Sequence, residues 1–552
     1  MSAQQFQRSS TFRPVRHHYS GPGWLPVLLM VGGCLGGLVQ QGYAQNPLSV
    51  LSPGRPVEGV ITKQPHAYGL NLVAGQFLRL KGEGDRLLLR LIGPRGDTLQ
   101  LNNTLMLSQV VQETGLHRLD IDRWYGLPVA QRSVALPYKL RVDELLSPAR
   151  YAARLDSLRS DPRVAWLAQH AIPLRSLATD DDDFNDLRPL REAIGDARVV
   201  LLGEESHGSG NIIRAKSRLV RFLHQEMGFD VVAFESSLYF MWKVWQLMQA
   251  GHDPGVWSYA ADFQPLARYL GQQAVGPHPL EVSGVDFQFS GDLSSQQLVS
   301  ELRELVDREH LGEEGKNLVK GFWTTLSGFV SGTSQWHIQQ DVLSDLRLLA
   351  ERLAGAGETR SAAEGRTLRM WAQVSRSLAE YMAFDWIESY NDRRDRQMDR
   401  NLAWLGREYF PGRKIIVWAA NVHVLRHPNR LPQATIVSTV GMDQAVREVF
   451  SDRSFVIVAT AYSGQYRMIG GSRTFTVMSD QDPTFELEEL MAATGLEQAV
   501  VPLRNLPAGG DWLRSPIFCR IFNYKSILGT WPDHADAILF MRAATPTIRI
   551  PR

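Results

Sequence analysis

The chain has 552 residues, of which 44% are hydrophobic and 21% are charged, and its formal net charge is +1. This composition is ordinary for a globular protein of two or three domains, and the absence of a basic stripe argues against a nucleic-acid partner. The two cysteines, Cys34 and Cys519, are too few for a disulfide framework or a zinc ribbon. We expect Cys519 to be a small core residue.

The first 45 residues are typical of an export signal. Three arginines precede an apolar, glycine-rich run from Trp24 to Leu38, which is too short and too weak for a stable membrane span. Gly42-Tyr43-Ala44 places small residues where a signal peptidase needs them. We therefore expect residues 1–45 to be a signal peptide and the protein to be periplasmic or secreted. Lipidation of Cys34 and an uncleaved anchor are the alternatives, and they are the remaining ways for this chain to contact a membrane.

Residues 46–145 predict a small all-β domain. Apolar residues alternate in runs such as Tyr68, Leu70 and Leu72, and turn sequences separate runs spaced about ten residues apart, as in a β-sandwich. This stretch resembles the bacterial pre-peptidase C-terminal domain, which implies an accessory role in folding, attachment or substrate access. The features that carry the resemblance are Val57-Glu58-Gly59, the turn from Leu72 to Phe77, Gly93-Pro94-Arg95-Gly96 and Thr114-Gly115.

Residues 146–185 predict a helical linker. Its acidic run, Asp180–Asp183, predicts a solvated loop, because calcium-binding loops alternate their acids with other residues and include a turn glycine.

From residue 186 onward the pattern alternates between strands and helices. Short apolar runs separated by helices predict an α/β fold with a parallel sheet flanked by helices. We expect Ser209 to cap a helix that Gly228 ends, so that residues 198–235 form a strand–helix–strand unit with adjacent strands. The predicted strands are 198–202, 231–235, 281–286, 415–419, 455–460 and 537–541.

Residues of about 290–410 predict a large helical subdomain inserted in the 186–552 domain. It is rich in tryptophan, and these rings would either pack in a helical core or line a wide apolar cleft. The tryptophans concerned are Trp323, Trp336, Trp371 and Trp386.

Three polar segments follow buried strands: Gly203-Glu204-Glu205-Ser206-His207-Gly208, Phe234-Glu235-Ser236 and Trp418-Ala419-Ala420-Asn421-Val422-His423. Ligands of open α/β sheets bind outside the carboxyl ends of the strands, so two acids and two histidines should converge on one crevice. Such a set suits general acid–base hydrolysis. The glycines permit a tight turn, and the following helix N-terminus favours an anion or a developing oxyanion.

These segments, in this order, resemble the erythromycin esterase family. Its members carry a Gly-Glu-x-x-His-Gly turn, a Lys-x-Arg-Leu helix, a strand ending in Glu and a Trp-x-His-Asn-x-His segment. The similarity extends to residues 284–288 and 394–401 and covers most of 186–552. The resemblance implies a carboxylic ester hydrolase that cleaves an ester or lactone. Macrolides are one candidate substrate class, which would connect the protein to antibiotic resistance, but the resemblance does not name the substrate.

The resemblance implies that His207 is the general base that activates water, and that Glu204 and Glu235 orient it or share protons with it. His423 completes the predicted catalytic set. The chain departs from the family pattern at Ala420, which replaces the first histidine of the Trp-x-His-Asn-x-His segment. If that histidine normally assists protonation of the leaving group or holds the carbonyl, His423 or Asn421 must take its place, or activity is reduced.

Four further residues are candidates for substrate binding: Lys216, Arg218, Asp286 and Asn421. Arg218 could equally form a structural ion pair with an acid at the sheet end. The chain lacks Gly-x-Ser-x-Gly, His-Glu-x-x-His and a P-loop, which argues against a serine elbow, a zincin and an NTPase.

Two alternatives stay open at the level of sequence. The acids and histidines could bind a divalent metal whose bound water is the nucleophile, although we expect no cofactor and assign no metal ligand. Alternatively, Ala420 could mark a degenerate site in an envelope binding protein. The oligomeric state is not predicted.

Overall fold

The structure is a computed structural model that describes residues 48–550, apart from 63, 85, 103–104, 106, 124–133, 254–259, 290–291, 312–317, 319–320, 332–339, 384–389, 432–439, 468–473 and 478–485. The predicted signal peptide, Cys34, Trp336 and Trp386 lie outside the described residues. Among the helices of the described ranges, none is long and apolar enough to cross a membrane.

The N-terminal region is a β-sandwich, as predicted. One sheet has the strand order β1-β3-β8-β5-β6 and the other β2-β9-β4-β7, and leucines from both sheets form one buried core. Along β9, buried and exposed residues alternate from Leu136 to Val142, which is the period-two pattern of a half-buried strand. The similarity to a pre-peptidase C-terminal domain stays a prediction. The strands are β1 Ser49–Val50, β2 Val57–Ile61, β3 His66–Leu72, β4 Phe77–Glu83, β5 Leu87–Ile92, β6 Thr98–Asn102, β7 Leu107–Val110, β8 Gly115–Arg123 and β9 Leu136–Leu146.

Two helices follow, α1 Pro148–Arg159 and α2 Pro162–His170. Each begins with proline after a capping side chain, Ser147 or Asp161, which accepts a hydrogen bond from a free backbone N–H of the first turn. A short strand, β10 Ile172–Pro173, then joins the main sheet. The acidic run is a loop, as predicted, and the side chains of Asp182 and Asp183 are at least half exposed.

The larger region contains the predicted parallel sheet. Its order is β10-β17-β20-β15-β11-β14-β12-β13, and the six strands from β20 to β13 run parallel. These six correspond to the six predicted strands. The strands are β11 Val199–Leu202, β12 Val231–Ser237, β13 Glu281–Asp286, β14 Ile415–Trp418, β15 Ser454–Arg467, β16 Thr474–Thr476, β17 Gln498–Pro502, β18 Ile517–Phe522, β19 Lys525–Gly529 and β20 Ala537–Ala544.

The prediction that β11 and β12 are adjacent is wrong. Strand β14 lies between them, with Ile416 paired to Val200 on one side and to Val232 on the other. The chain returns from the helical subdomain to fill this central position. The segment after β14 therefore lies between the other two polar segments.

Helix α4 ends at Gly228, as predicted, in the left-handed region at φ 68°. Ser209 precedes the helix, but its hydroxyl bonds Glu205 and Tyr524 and does not cap the backbone. The helices are α3 Arg188–Ile194, α4 Gly210–Met227, α5 Leu238–Gln249, α6 Gln264–Ala274, α7 Asp292–Arg308, α8 Phe322–Val330, α9 Gln340–Glu358, α10 Ala362–Met382, α11 Tyr390–Trp404, α12 Asn421–Val424, α13 Asp443–Ala445 and α14 Leu487–Ala493.

Helices α7 to α11 form the helical subdomain expected at about 290–410. Trp371 of α10 is 3% exposed and packs against Trp242 and Tyr239 of α5, with ring centres 5.6 and 5.4 Å apart. Trp371 is therefore a core residue and does not line a cleft. Cys519 is buried and free, as predicted.

Arg218 is not a substrate-binding residue in this structure, so that prediction needs correction. Its guanidinium is 2% exposed and makes a two-pronged ion pair with Asp186, at 2.6 and 2.8 Å. It also donates to the carbonyls of Ser176 and Asp183. Arg218 thus attaches helix α4 to the linker, which is the structural alternative left open above.

We predict that Arg218→Met lowers the free energy of unfolding by about 3–5 kcal/mol, because it leaves the Asp186 carboxylate buried without its cation. Chemical denaturation would measure the change. Arg175→Met is the matched control, since Arg175 pairs with Asp181 from a half-exposed position and should matter little. Equal losses in the two variants would contradict the assignment.

Candidate active site

The four predicted catalytic side chains meet at the carboxyl end of the sheet. His207 Nδ1 lies 2.6 Å from Glu204 Oε1, and His207 Nε2 lies 3.7 Å from Glu235 Oε1. His423 Nε2 lies 3.2 Å from the same Glu235 oxygen. Glu235 is therefore placed between two imidazole rings, although β11 and β12 are not adjacent.

Glu204 is held by Lys216. The side chain of Glu204 is fully buried, and its second oxygen accepts a hydrogen bond from the Lys216 ammonium. The same ammonium lies 4.2 Å from the centre of the Trp418 ring and donates to the Ala419 carbonyl. Lys216 was predicted to bind substrate, but it is only 1% exposed. Its contacts show that it positions Glu204 instead.

Two residues of helix α11 belong to the cluster and were not assigned a role from sequence. Arg394 donates to Glu235 Oε1 and to Asp286 Oδ2, each at 2.6 Å, and Asp395 Oδ1 lies 2.6 Å from His423 Nδ1. The predicted substrate-binding residue Asp286 is 3% exposed and instead holds Arg394. A signal for Asp395 exists in the sequence, since Met398 and Leu402 follow at helical spacing and are both fully buried.

Asn421 is a structural residue, which corrects its predicted role in substrate binding. It is 1% exposed, its amide nitrogen donates to the carbonyls of Ala459 and Ile521, and its oxygen accepts from Ala459 N–H. The whole amide is used to join the end of β14 to β15 and β18.

Ala420 lies at the edge of the site and outside the core. It is partly exposed, and its backbone N–H donates to Glu235 Oε2 at 2.8 Å. The chain turns here into the short helix α12. His423 follows on this helix and reaches the same carboxylate.

The turn glycines allow close backbone approach. A Cβ at Gly208 would lie 2.0 Å from the Arg467 carbonyl oxygen, and one at Gly203 would lie 2.3 Å from Asn421 Oδ1. Neither glycine has a positive φ, so contact alone requires glycine here.

His207 is the member of the cluster most open to solvent. Its side chain is 18% exposed, whereas those of Glu204, Glu235 and His423 are 0%, 5% and 6% exposed. A water molecule or a substrate carbonyl can therefore approach the cluster at His207.

The cluster balances four acids, Glu204, Glu235, Asp286 and Asp395, with Lys216, Arg394 and the two histidines. Burial lowers the pKa of His207, but Glu235 and Glu204 outweigh it and raise that pKa to about 10. Burial also lowers the pKa of His423, and Asp395 with Glu235 raises it to about 9. Burial alone would raise the pKa of Glu235, but His423, His207 and Arg394 hold it well below its usual range. The site therefore holds two imidazolium ions at neutral pH.

Glu205, next to Glu204, faces away from the catalytic cluster. It accepts hydrogen bonds from Ser209 and Tyr524, and burial raises its pKa to about 8. Glu205 thus contributes an uncharged acid to the packing beneath the turn at neutral pH.

The described residues contain no group of three or more His, Cys, Asp or Glu side chains arranged to hold a metal ion. The acids nearest the histidines are already engaged, Glu204 by Lys216 and Glu235 by Arg394. These residues do not fit a metal site.

Residues 224–543, more than half of the chain, match the family model described as Erythromycin esterase. The chain belongs to this family. The match includes Glu235, Arg394, Asp395 and His423 but begins after the turn that carries Glu204 and His207.

Individual relatives are distant. The Bacillus subtilis protein YbfO, provisionally named as a hydrolase, is 23% identical over 419 residues, which cover 70% of this chain and 92% of YbfO. Erythromycin esterase type II of Escherichia coli is 21% identical over 383 residues, covering 62% of this chain and 89% of that protein. A Bacillus cereus protein of known crystal structure has a TM-score of 0.59 at 18% identity, over 71% of this chain and 99% of that one. The structural likeness supports the fold.

Proposed function

We propose that this member of the erythromycin esterase family hydrolyses an ester or lactone by means of water activated at His207. The family establishes an erythromycin-esterase-like hydrolase. The observation that carries the finer proposal is the position of His207, which is held between two carboxylates and is the part of the cluster that solvent reaches.

Glu204 prepares His207 for the role of base. A proton on Nδ1 is held by the Glu204 carboxylate, so Nε2 is the nitrogen available to a water molecule. When Nε2 takes the proton, the water oxygen attacks the carbonyl carbon, and Glu204 and Glu235 stabilise the imidazolium that forms. The two carboxylates thus act as the acid of a catalytic triad does, by orienting the ring and stabilising its charge.

His423 is the candidate acid. Asp395 holds its Nδ1, and its raised pKa keeps it protonated at neutral pH. As the bond between the carbonyl carbon and the alkoxy oxygen breaks, the leaving alkoxide takes a proton from His207 or His423. Because Ala420 has no side-chain proton donor, His423 must supply the role that the first histidine of the family pattern would otherwise share.

The proposal also covers the class of substrate and the cellular location of the protein. The N-terminal sequence supports export to the periplasm or the medium, with the β-sandwich as an accessory domain. Macrolide lactones are one candidate class, since one relative carries the name erythromycin esterase. A panel of chromogenic esters and macrolides, each tested with and without a chelator, would identify the class. If a chelator removes the activity, the mechanism is metal-dependent and this proposal is wrong. If a ligand binds without being hydrolysed, the chain is better explained as an envelope binding protein with a degenerate site.

We predict that His207→Ala lowers kcat by about 10²- to 10⁴-fold and leaves the fold intact, because a positioned general base contributes that much. Turnover of the best ester and the far-ultraviolet circular dichroism spectrum would be measured together. His252→Ala, a change at an exposed histidine, is the control. Wild-type turnover in the His207 variant would reject the assignment.

The pH dependence follows from the raised pKa of His207. The base form is scarce at neutral pH, so kcat/KM should rise as pH increases toward about 10. Glu235→Gln removes the negative charge that most raises this pKa, so the rising limb should move to lower pH while kcat falls. Glu448→Gln, at a half-exposed carboxylate, should leave the profile unchanged. An unshifted limb in Glu235→Gln would show that Glu235 and His207 are not coupled.

We predict that Ala420→His is tolerated by the fold, because residue 420 is partly exposed and its hydrogen bonds, with Glu235 and with the His423 N–H, are made by its backbone. If the missing histidine is a lost catalytic group, ester hydrolysis should rise. If the site is adapted to another substrate, native activity should fall with macrolide cleavage still undetectable. Thermal unfolding would be followed alongside turnover, with Ala419→His in the buried neighbour as the destabilising comparison. A large loss of stability in Ala420→His would contradict both readings.

A further inference from the structure

A cavity of about 1030 Å3 lies at the amino ends of β12 and β13, at the opposite end of these strands from the catalytic cluster. Strand β13 connects the two places, since Glu281 at its start lines the cavity and Asp286 at its end belongs to the cluster. Six residues of strand separate them by roughly 16 Å. The cavity has the volume of a ligand site and is independent of the hydrolytic chemistry.

The charges that line this cavity are already paired. Glu281 accepts hydrogen bonds from Arg366 at 2.7 Å and from Arg413 at 2.6 Å, and Arg413 also pairs with Asp230 at 2.9 Å. Two carboxylates therefore face two guanidinium groups, and the net charge of these four side chains is zero. A charged ligand such as a phosphate or an amine would have to break these pairs, which favours an uncharged ligand.

One face of helix α5 supplies the rest of the lining. Trp242, Trp245, Gln246 and Gln249 recur at helical spacing and all line the cavity. The two indole rings form an apolar floor and are 9% and 8% exposed, while both glutamines are exposed. A carboxamide both donates and accepts hydrogen bonds, so it can bind a pair of neighbouring hydroxyl groups.

Helix α6 faces this surface with Tyr269 and Gln273. Within the described ranges, the side-chain amides of Gln246, Gln249 and Gln273 form no hydrogen bond with the protein. Three unengaged amides above an aromatic floor, in a cavity of balanced charge, match the surface of a neutral sugar, which combines apolar C–H faces with many hydroxyl groups.

We propose that this cavity binds a neutral saccharide. The hydroxyl groups are bound by the glutamine amides of α5 and α6, and the C–H face lies against the tryptophan floor. The site would add carbohydrate recognition to the hydrolase without contributing to its chemistry.

Binding would be tested on the full-length protein by tryptophan fluorescence and calorimetry, with maltohexaose, cellohexaose and chitohexaose as neutral probes and oligogalacturonate as the anionic probe. At least one neutral probe should bind, and the double variant Gln246→Ala with Gln249→Ala should weaken this binding by about tenfold or more, since the hydrogen bonds of two amides are lost. Both glutamines are exposed, so the fold should survive.

Gln272→Ala is the matched control, because Gln272 is an exposed glutamine of the same helix as Gln273 but does not line the cavity. It should bind like the wild type, His207→Ala should keep saccharide binding, and the double variant should keep ester turnover. The proposal is overturned if no neutral probe binds up to about 10 mM, if only the anionic probe binds, or if the double variant binds as tightly as the wild type.

Discussion

The buried carboxylate of Glu235 is the point on which the catalytic region depends. A carboxylate without a partner is very unfavourable in a protein interior, and this one has four neighbours: His207, His423, Arg394 and the N–H of Ala420. These partners come from the turn after β11, from helix α11 and from the segment after β14. Compensating this one charge therefore joins the sheet to the helical subdomain, and the loss of His207, His423 or Arg394 would raise the pKa of Glu235.

The central position of β14 explains how residues on separated strands can share one site. It places Ala420 and His423 between the turn that carries His207 and the strand that carries Glu235. Strand order could not be predicted from the chain, because every parallel strand buried on both faces has the same apolar pattern and the pairing is non-local. What could be predicted was which end of each strand carries the polar residues, and that was sufficient to bring Glu204, His207, Glu235 and His423 together.

Among the predicted site residues, the failures concern the direction or the use of a side chain. Arg218 and Lys216 lie two residues apart on α4, so they leave the helix about 200° apart, and one reaches the linker while the other reaches Glu204. Asn421 has an amide suited to a substrate, but backbone groups of β15 and β18 use all of it. The roles of Arg394 and Asp395 could not be predicted from the sequence, because α11 contains many charged residues and these two resemble their neighbours. Asp395 is distinguished only by its helical spacing to Met398 and Leu402, which are buried.

Position 420 shows how the family pattern can vary while the contact between Glu235 and His207 is kept. The contact with Glu235 is made by the backbone N–H, which any residue except proline provides. Loss of the histidine side chain therefore leaves Glu235 oriented, and with it the environment that raises the pKa of His207. What changes is the surface presented to the substrate, since Ala420 is partly exposed beside the two imidazoles. In the proposed mechanism, the buried charge pairs that activate water are therefore separate from the surface that meets the acyl or leaving group, so that the surface can change while the charge pairs are kept.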